Sequence, residues 1–141
     1  MAKSLKTLIR LARWSVDERR KALGALLDRE AQILQAREDH HQALANERTV
    51  ASADSIGAGR MFGAYFTAWE AQRDHLNALL DEVQKLIEIA RDELAEAFRA
   101  QKSTEEVQKQ RDIQEAIEAD RKERAELDEI GLIQHLRKKD E

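Results

Sequence analysis

The residues best placed to do chemistry are four histidines, His40, His41, His75 and His135, and a crowd of carboxylates. Glu38-Asp39-His40-His41 has the composition of a metal cluster. On a helix, however, adjacent residues point to different faces, and a helical zinc site needs histidines four apart with a third ligand. No such pair occurs in this chain. The spacing allows at most a weak surface site joining His75 to Asp39 or His40, and exposed polar histidines are the simpler reading. Paired carboxylates such as Glu105-Glu106 and Asp128-Glu129 could serve acid–base work only in a concave, partly dry pocket that perturbs their ionisation. Gly57-Ala-Gly59 lacks the strand and the lysine of a phosphate loop and reads as a turn. With no cysteine, thiolate ligands and disulfides are excluded. These residues predict no enzyme, no cofactor and no metal site.

The elements that carry them follow from composition and period. Of 141 residues, 37% are charged and 4% aromatic, and none is proline. Such a mixture suits long helices sharing a narrow apolar seam better than a thick core. Seam positions alternate in steps of three and four. The first segment reads Arg20, Leu23, Leu27, Glu30, Leu34, Arg37, His41, Leu44. The second reads Trp69, Arg73, Leu76, Leu80, Val83, Ile87, Ala90, Leu94, Ala97, and is more apolar. A seven-residue repeat predicts a left-handed coiled coil. Ser52-Ala-Asp-Ser-Ile-Gly-Ala-Gly-Arg60 between them is rich in turn formers. Pairing Leu44 with Trp69, Leu34 with Leu80 and Leu23 with Ala90 places the mirror point at Ile56–Gly57. The prediction is an all-α chain and a single domain, 1–141. It is a long antiparallel two-helix coiled-coil hairpin, with helix 1 over about 3–51, a turn over about 52–60 and helix 2 over about 61–138. The mirror pairs residue 3 near 110, so residues 111–141 form a C-terminal helical overhang with a sparse stripe of Ile113, Ile117, Leu127, Ile130, Ile133 and Leu136. That stripe is out of phase with the seam. Ser103-x-x-Glu106 has capping-box form, so an irregularity near 101–104 competes with an uninterrupted helix.

Charge is uneven. Net charge is −4, yet the first thirteen residues hold Lys3, Lys6, Arg10 and Arg13 and no acid. With Leu5, Leu8, Ile9 and Ala12 they make a basic amphipathic helix. A solvated face, a partner or membrane-surface contact through residues 1–13, and a transit peptide compete for it. No apolar run approaches a membrane span. The acidic balance, without aromatic–basic interleaving, argues against nucleic acid. The expectation is a cytoplasmic chain, peripheral to a membrane at most.

Four of the six aromatics, Phe62, Tyr65, Phe66 and Trp69, fall within eight residues just after the turn. They either cap the seam or form a partner-binding patch at the tip, because aromatics are common binding anchors. Tyr65 is the ring expected to be exposed and used.

The closing stretch, Arg124-Ala-Glu-Leu-Asp-Glu-Ile130 followed by Arg137-Lys-Lys139, resembles the ending of the FliJ family of flagellar type III export proteins. The opening Leu5-x-x-Leu-Ile-Arg-Leu-Ala with Asp17-Glu-Arg-Arg20 is similar to that family too. The resemblance implies a non-catalytic, stalk-like regulator at the centre of the export ATPase ring. Both termini enter the ring, the tip meets the membrane export gate, and the protein escorts export chaperones. It places Leu5, Leu8, Ile9, Leu127, Asp128, Glu129 and Ile130 at the ring, and Tyr65 and Trp69 on the tip helix. It also implies peripheral association with the inner-membrane export apparatus. An injectisome counterpart of the same stalk and a dimeric coiled-coil scaffold are the alternatives.

Overall fold

The computed structural model describes residues 2–53 and 58–140. They form two helices, α1 (Ala2–Ala53) and α2 (Ala58–Lys139), with no strand among the described residues. The expected reversal point, Ile56–Gly57, lies outside the described residues. The turn expected over 52–60 is corrected at its two edges. Residues 52–53 and 58–60 are helical, and the Ser52 hydroxyl donates back to the Thr49 carbonyl at 2.9 Å within the last turn of α1.

Helix is what this composition favours. Good helix formers dominate, proline is absent, and polar side chains pair one turn apart. Gln35 donates to Asp39 at 2.9 Å, Gln108 to Asp112 at 2.8 Å, and Arg124 meets Asp120 at 3.3 Å. Arg137, Lys138 and Lys139 occupy the last turn of α2, where cations oppose the helix dipole. The helix also runs unbroken through 101–104. Thr104 Oγ1 donates to the Ala100 and Gln101 carbonyls inside the helix, so nothing restarts there.

The chain divides into two compact units: unit 1, Met1–Arg13 with Phe98–Glu141, and unit 2, Trp14–Ala97. In unit 2, Ile33, Leu80, Val83 and Ile87 form the core cluster, with Leu23, Leu26 and Leu79 packed against it. Val83, at 2% exposure, is its most buried side chain. Arg19 and Glu93 join the two helices at 2.7 Å, both half exposed.

The α2 seam lies where its periodicity put it: Trp69, Leu76, Leu80, Val83, Ile87, Ala90 and Ala97 are buried. The α1 seam is corrected in one of its two heptad positions. Leu23, Glu30, Arg37 and Leu44 face inward as expected, but Leu26, Ile33 and His40 replace Leu27, Leu34 and His41. Leu27 is 37% and Leu34 40% exposed, against 7% for Ile33. The physical reason is continuity of phase. Val16 is buried, and steps of three and four from Val16 through Leu23 reach Leu26, Ile33 and His40. In this frame every facing pair, from Val16 with Ala97 to Leu44 with Trp69, has the same sum of residue numbers.

In unit 1, Leu5 is buried and Ile9 and Ala12 are half-buried. Gln101, Thr104 and Gln108 are the half-buried residues of α2 at the matching heptad positions. Arg13 and Glu105 link the helices at 3.5 Å. Beyond Gln108, every described residue of α2 is exposed.

Gly24 sits in the interior of α1, and a methyl group added there meets no atom within 4 Å. Glycine costs a helix interior about 0.5–1 kcal/mol relative to alanine. Gly24→Ala is therefore expected to stabilise the pair by about that amount, read as a higher midpoint in thermal circular dichroism.

Candidate protein-docking site

The aromatic group in unit 2 is a ladder rather than a bare patch. Phe62 stacks on Phe66 with centroids 6.2 Å apart, and Phe66 stacks on Trp69 at 5.8 Å. Trp69 then stacks across the helix pair on His40, at 4.7 Å and 6° between ring planes. Steps of four and three bring 62, 66 and 69 onto one helix face. Tyr65 stands beside the ladder, touching Phe62 at 6.3 Å in a tilted contact.

Trp69 and His40 also exchange hydrogen bonds. The Trp69 Nε1–H donates to the His40 carbonyl at 2.8 Å, and His40 Nε2 meets the Trp69 carbonyl at 2.8 Å. A carbonyl only accepts, so Nε2 carries the proton. Each carbonyl has a second lone pair, which lets it serve its own helix as well. The Arg73 guanidinium lies 5.5 Å over the Trp69 ring, and His41 tilts against the same ring at 5.4 Å.

This geometry divides the four expected rings. Trp69, at 5% exposure, is a seam residue. Phe62, Tyr65 and Phe66 are half-buried, and Met61 beside them is exposed. Phe62, Tyr65, Phe66 and Met61 are therefore the members of the group that keep accessible surface, beside a Trp69 fixed in the seam. The sequence reading took His40 for an exposed polar histidine and gave its seam place to His41; it is half-buried against Trp69 instead. The available signal was the phase carried forward from Val16.

The residues expected at the ring all lie in unit 1 and also separate. Leu5 is buried and Ile9 half-buried in the seam, leaving only Leu8 free among the three. Leu127, Asp128, Glu129 and Ile130 are all exposed on α2. Asp128 and Glu129 occupy neighbouring positions, so they point to different faces.

Among the described residues, no group of three or more His, Asp and Glu could hold a metal ion. The surface depression lined by Glu106, Val107, Gln110 and Arg111 is bounded by α2 alone. No described helix is long and apolar enough to cross a membrane.

The sequence model of one protein family, described as the flagellar FliJ protein, matches residues 1–140. Neither the curated proteins nor the solved structures compared with the chain give a match.

Proposed function

Because the chain belongs to the FliJ family and is a flagellar export protein, we propose that it works as the non-catalytic, stalk-like regulator of the export ATPase ring. The observation that carries this reading is the end of α2 in unit 1. From Lys109 onward its described residues are exposed, and among them are Leu127, Ile130, Ile133 and Leu136. A helix with bare apolar positions and charges of both signs is suited to a surrounding protein surface that reads both. Leu127, Asp128, Glu129 and Ile130 are the ring contacts in this proposal.

The aromatic group of unit 2 serves the second contact, with the export gate at the inner membrane. Phe62, Tyr65 and Phe66 supply the anchors, and escort of export chaperones completes the role. The family match is to a flagellar protein, which favours the flagellar system over an injectisome.

The test is stimulation of the purified export ATPase by the full chain and by a chain ending at Gln110. The shorter chain keeps Leu5, Ile9, Gln101, Thr104 and Gln108, and so keeps the paired part of unit 1. It should retain its cooperative melting but lose ATPase stimulation by at least about ten-fold, the effect of losing on the order of 1.4 kcal/mol of coupling. Full stimulation by the shorter chain would remove the ring contact from the proposal.

A further inference from the structure

Within unit 1, a second seam runs along the part of α2 that α1 leaves uncovered. Ile113, Ile117, Asp120, Arg124, Leu127 and Gly131 follow at steps of four and three and share one helix face. Ile113, Ile117 and Leu127 are exposed there. Asp120 and Arg124 meet at 3.3 Å, so both charged heads lie along this face. A surface depression on it is lined by Ile117, Asp120, Arg124 and Asp128. Gly131 carries no side chain, and a methyl group added there meets nothing within 4 Å.

The order of residues on this face complements itself when reversed. Laid antiparallel on a second copy, Ile117 faces Leu127, Asp120 faces Arg124 and Ile113 faces Gly131, each pair occurring twice about a two-fold axis at Lys122. Apolar meets apolar, acid meets base, and a bulky residue meets the smallest. Neighbouring alignments lose this match. A slide of one heptad sets Ile117 against Asp120 and Ile113 against Arg124 in one direction, and Arg124 against Leu127 in the other. A parallel pair sets Asp120 on Asp120 and Arg124 on Arg124. On one flank, Arg121 and Asp128 stand to this seam as Arg13 and Glu105 stand to the seam between the paired helices of unit 1, where they meet at 3.5 Å. On the other flank Glu123 comes close to its own copy, which keeps the association weak.

We propose that residues 113–131 are a docking surface for a second copy of this chain, joined antiparallel as a symmetric two-stranded coiled coil. The complementarity of Asp120 with Arg124 selects an identical partner and its direction. The matched stretch is about 27 Å long. With two charged rungs at its centre and a short apolar seam, it forms a reversible dimer, not a permanent one. Leu127 is also a ring contact in the proposed function, so the self-paired form covers part of that contact. The inference rests on the seam alone and stands whether or not the ring contact holds.

The experiment is sedimentation equilibrium of the full chain over about a hundred-fold range of concentration, reaching about 1 mM. The wild-type chain should show a reversible monomer–dimer equilibrium. Asp120→Arg and Arg124→Asp each turn two opposite-charge rungs into two like-charge rungs, and each should weaken dimerisation at least about ten-fold. The double variant Asp120→Arg with Arg124→Asp restores both rungs and should return to within about three-fold of the wild type. Both side chains are exposed, so circular dichroism should match the wild-type chain. Direction has its own readout, because the chain has no cysteine. A mixture of Ile117→Cys and Leu127→Cys chains should oxidise to the mixed disulfide faster than either chain oxidises alone. The inference is overturned if the wild-type chain stays monomeric throughout, if either single reversal dimerises as tightly as the wild type, or if the double variant is as weak as the singles. Disulfides that form fastest between two Ile117→Cys chains mean a parallel pair and overturn it as well.

Discussion

Trp69→Ala will lower the stability of the 14–97 unit by about 3–5 kcal/mol, the usual cost of emptying a buried aromatic site. Three losses combine. The ring is 5% exposed, so nearly its whole area returns to water or leaves a cavity. Its stacks on Phe66 and His40 disappear, each worth about 0.5–1.5 kcal/mol beyond the buried area. The bond from Nε1 to the His40 carbonyl is lost as well. Small domains hold roughly 5–15 kcal/mol in all, so a loss of this size shifts the thermal midpoint by many degrees. Trp69→Phe restores ring volume without the N–H and should recover more than half of the loss. Tyr65→Ala provides the contrast. Tyr65 is half-buried against Phe62, and its truncation should cost no more than about 1 kcal/mol. Its effect should fall on the proposed contact with the export gate. A melting curve for Trp69→Ala that overlays the wild type would mean the stacked pair is not a support of the fold.

Ile33→Ala should cost about 2–4 kcal/mol, whereas Leu34→Ala should cost less than about 1 kcal/mol. The two residues are adjacent and similar in size, and only their direction differs. Ile33 packs with Leu80, Val83 and Ile87 in the core cluster, while Leu34 keeps 40% of its surface in solvent. Denaturant melts of the two single variants, compared at constant m-value, measure the difference directly. Equal losses, or a larger one at Leu34, would reinstate the seam through Leu27, Leu34 and His41.

That contrast shows what the sequence could and could not convey. The α2 seam was legible because Leu76, Leu80, Val83 and Ile87 follow a strict three-four rhythm between mostly polar neighbours. In α1, Leu26 stands beside Leu27 and Ile33 beside Leu34, so two frames one residue apart are equally apolar. A window confined to residues 20–44 cannot choose between them. The phase of Leu5, Ile9, Ala12 and Val16 can, because a continuous helix must carry one seam through all of them. The charge at the start of α1 was also plain, but not that the seam consumes Leu5 and Ile9. The aromatic cluster was visible as a cluster. Its division into a structural tryptophan and three half-buried neighbours was not, because it depends on His40, 29 residues away in the chain.

The exchange between Trp69 and His40 has a further consequence, for slippage. Two seams with the same seven-residue repeat can slide past each other by one repeat and still match leucine to leucine. Nothing in a uniform ladder of aliphatic residues forbids it. A slide of seven would bring Ile33 or Glu47 to the place of His40. Neither offers a flat ring to lie on the indole. Neither can give a proton to the Trp69 carbonyl, isoleucine having none to give and ionised glutamate being an acceptor only. The Trp69–His40 pair thus acts as an index mark on the repeating scale, beside the polar seam positions Glu30 and Arg37, and favours one alignment where the repeat alone would permit several.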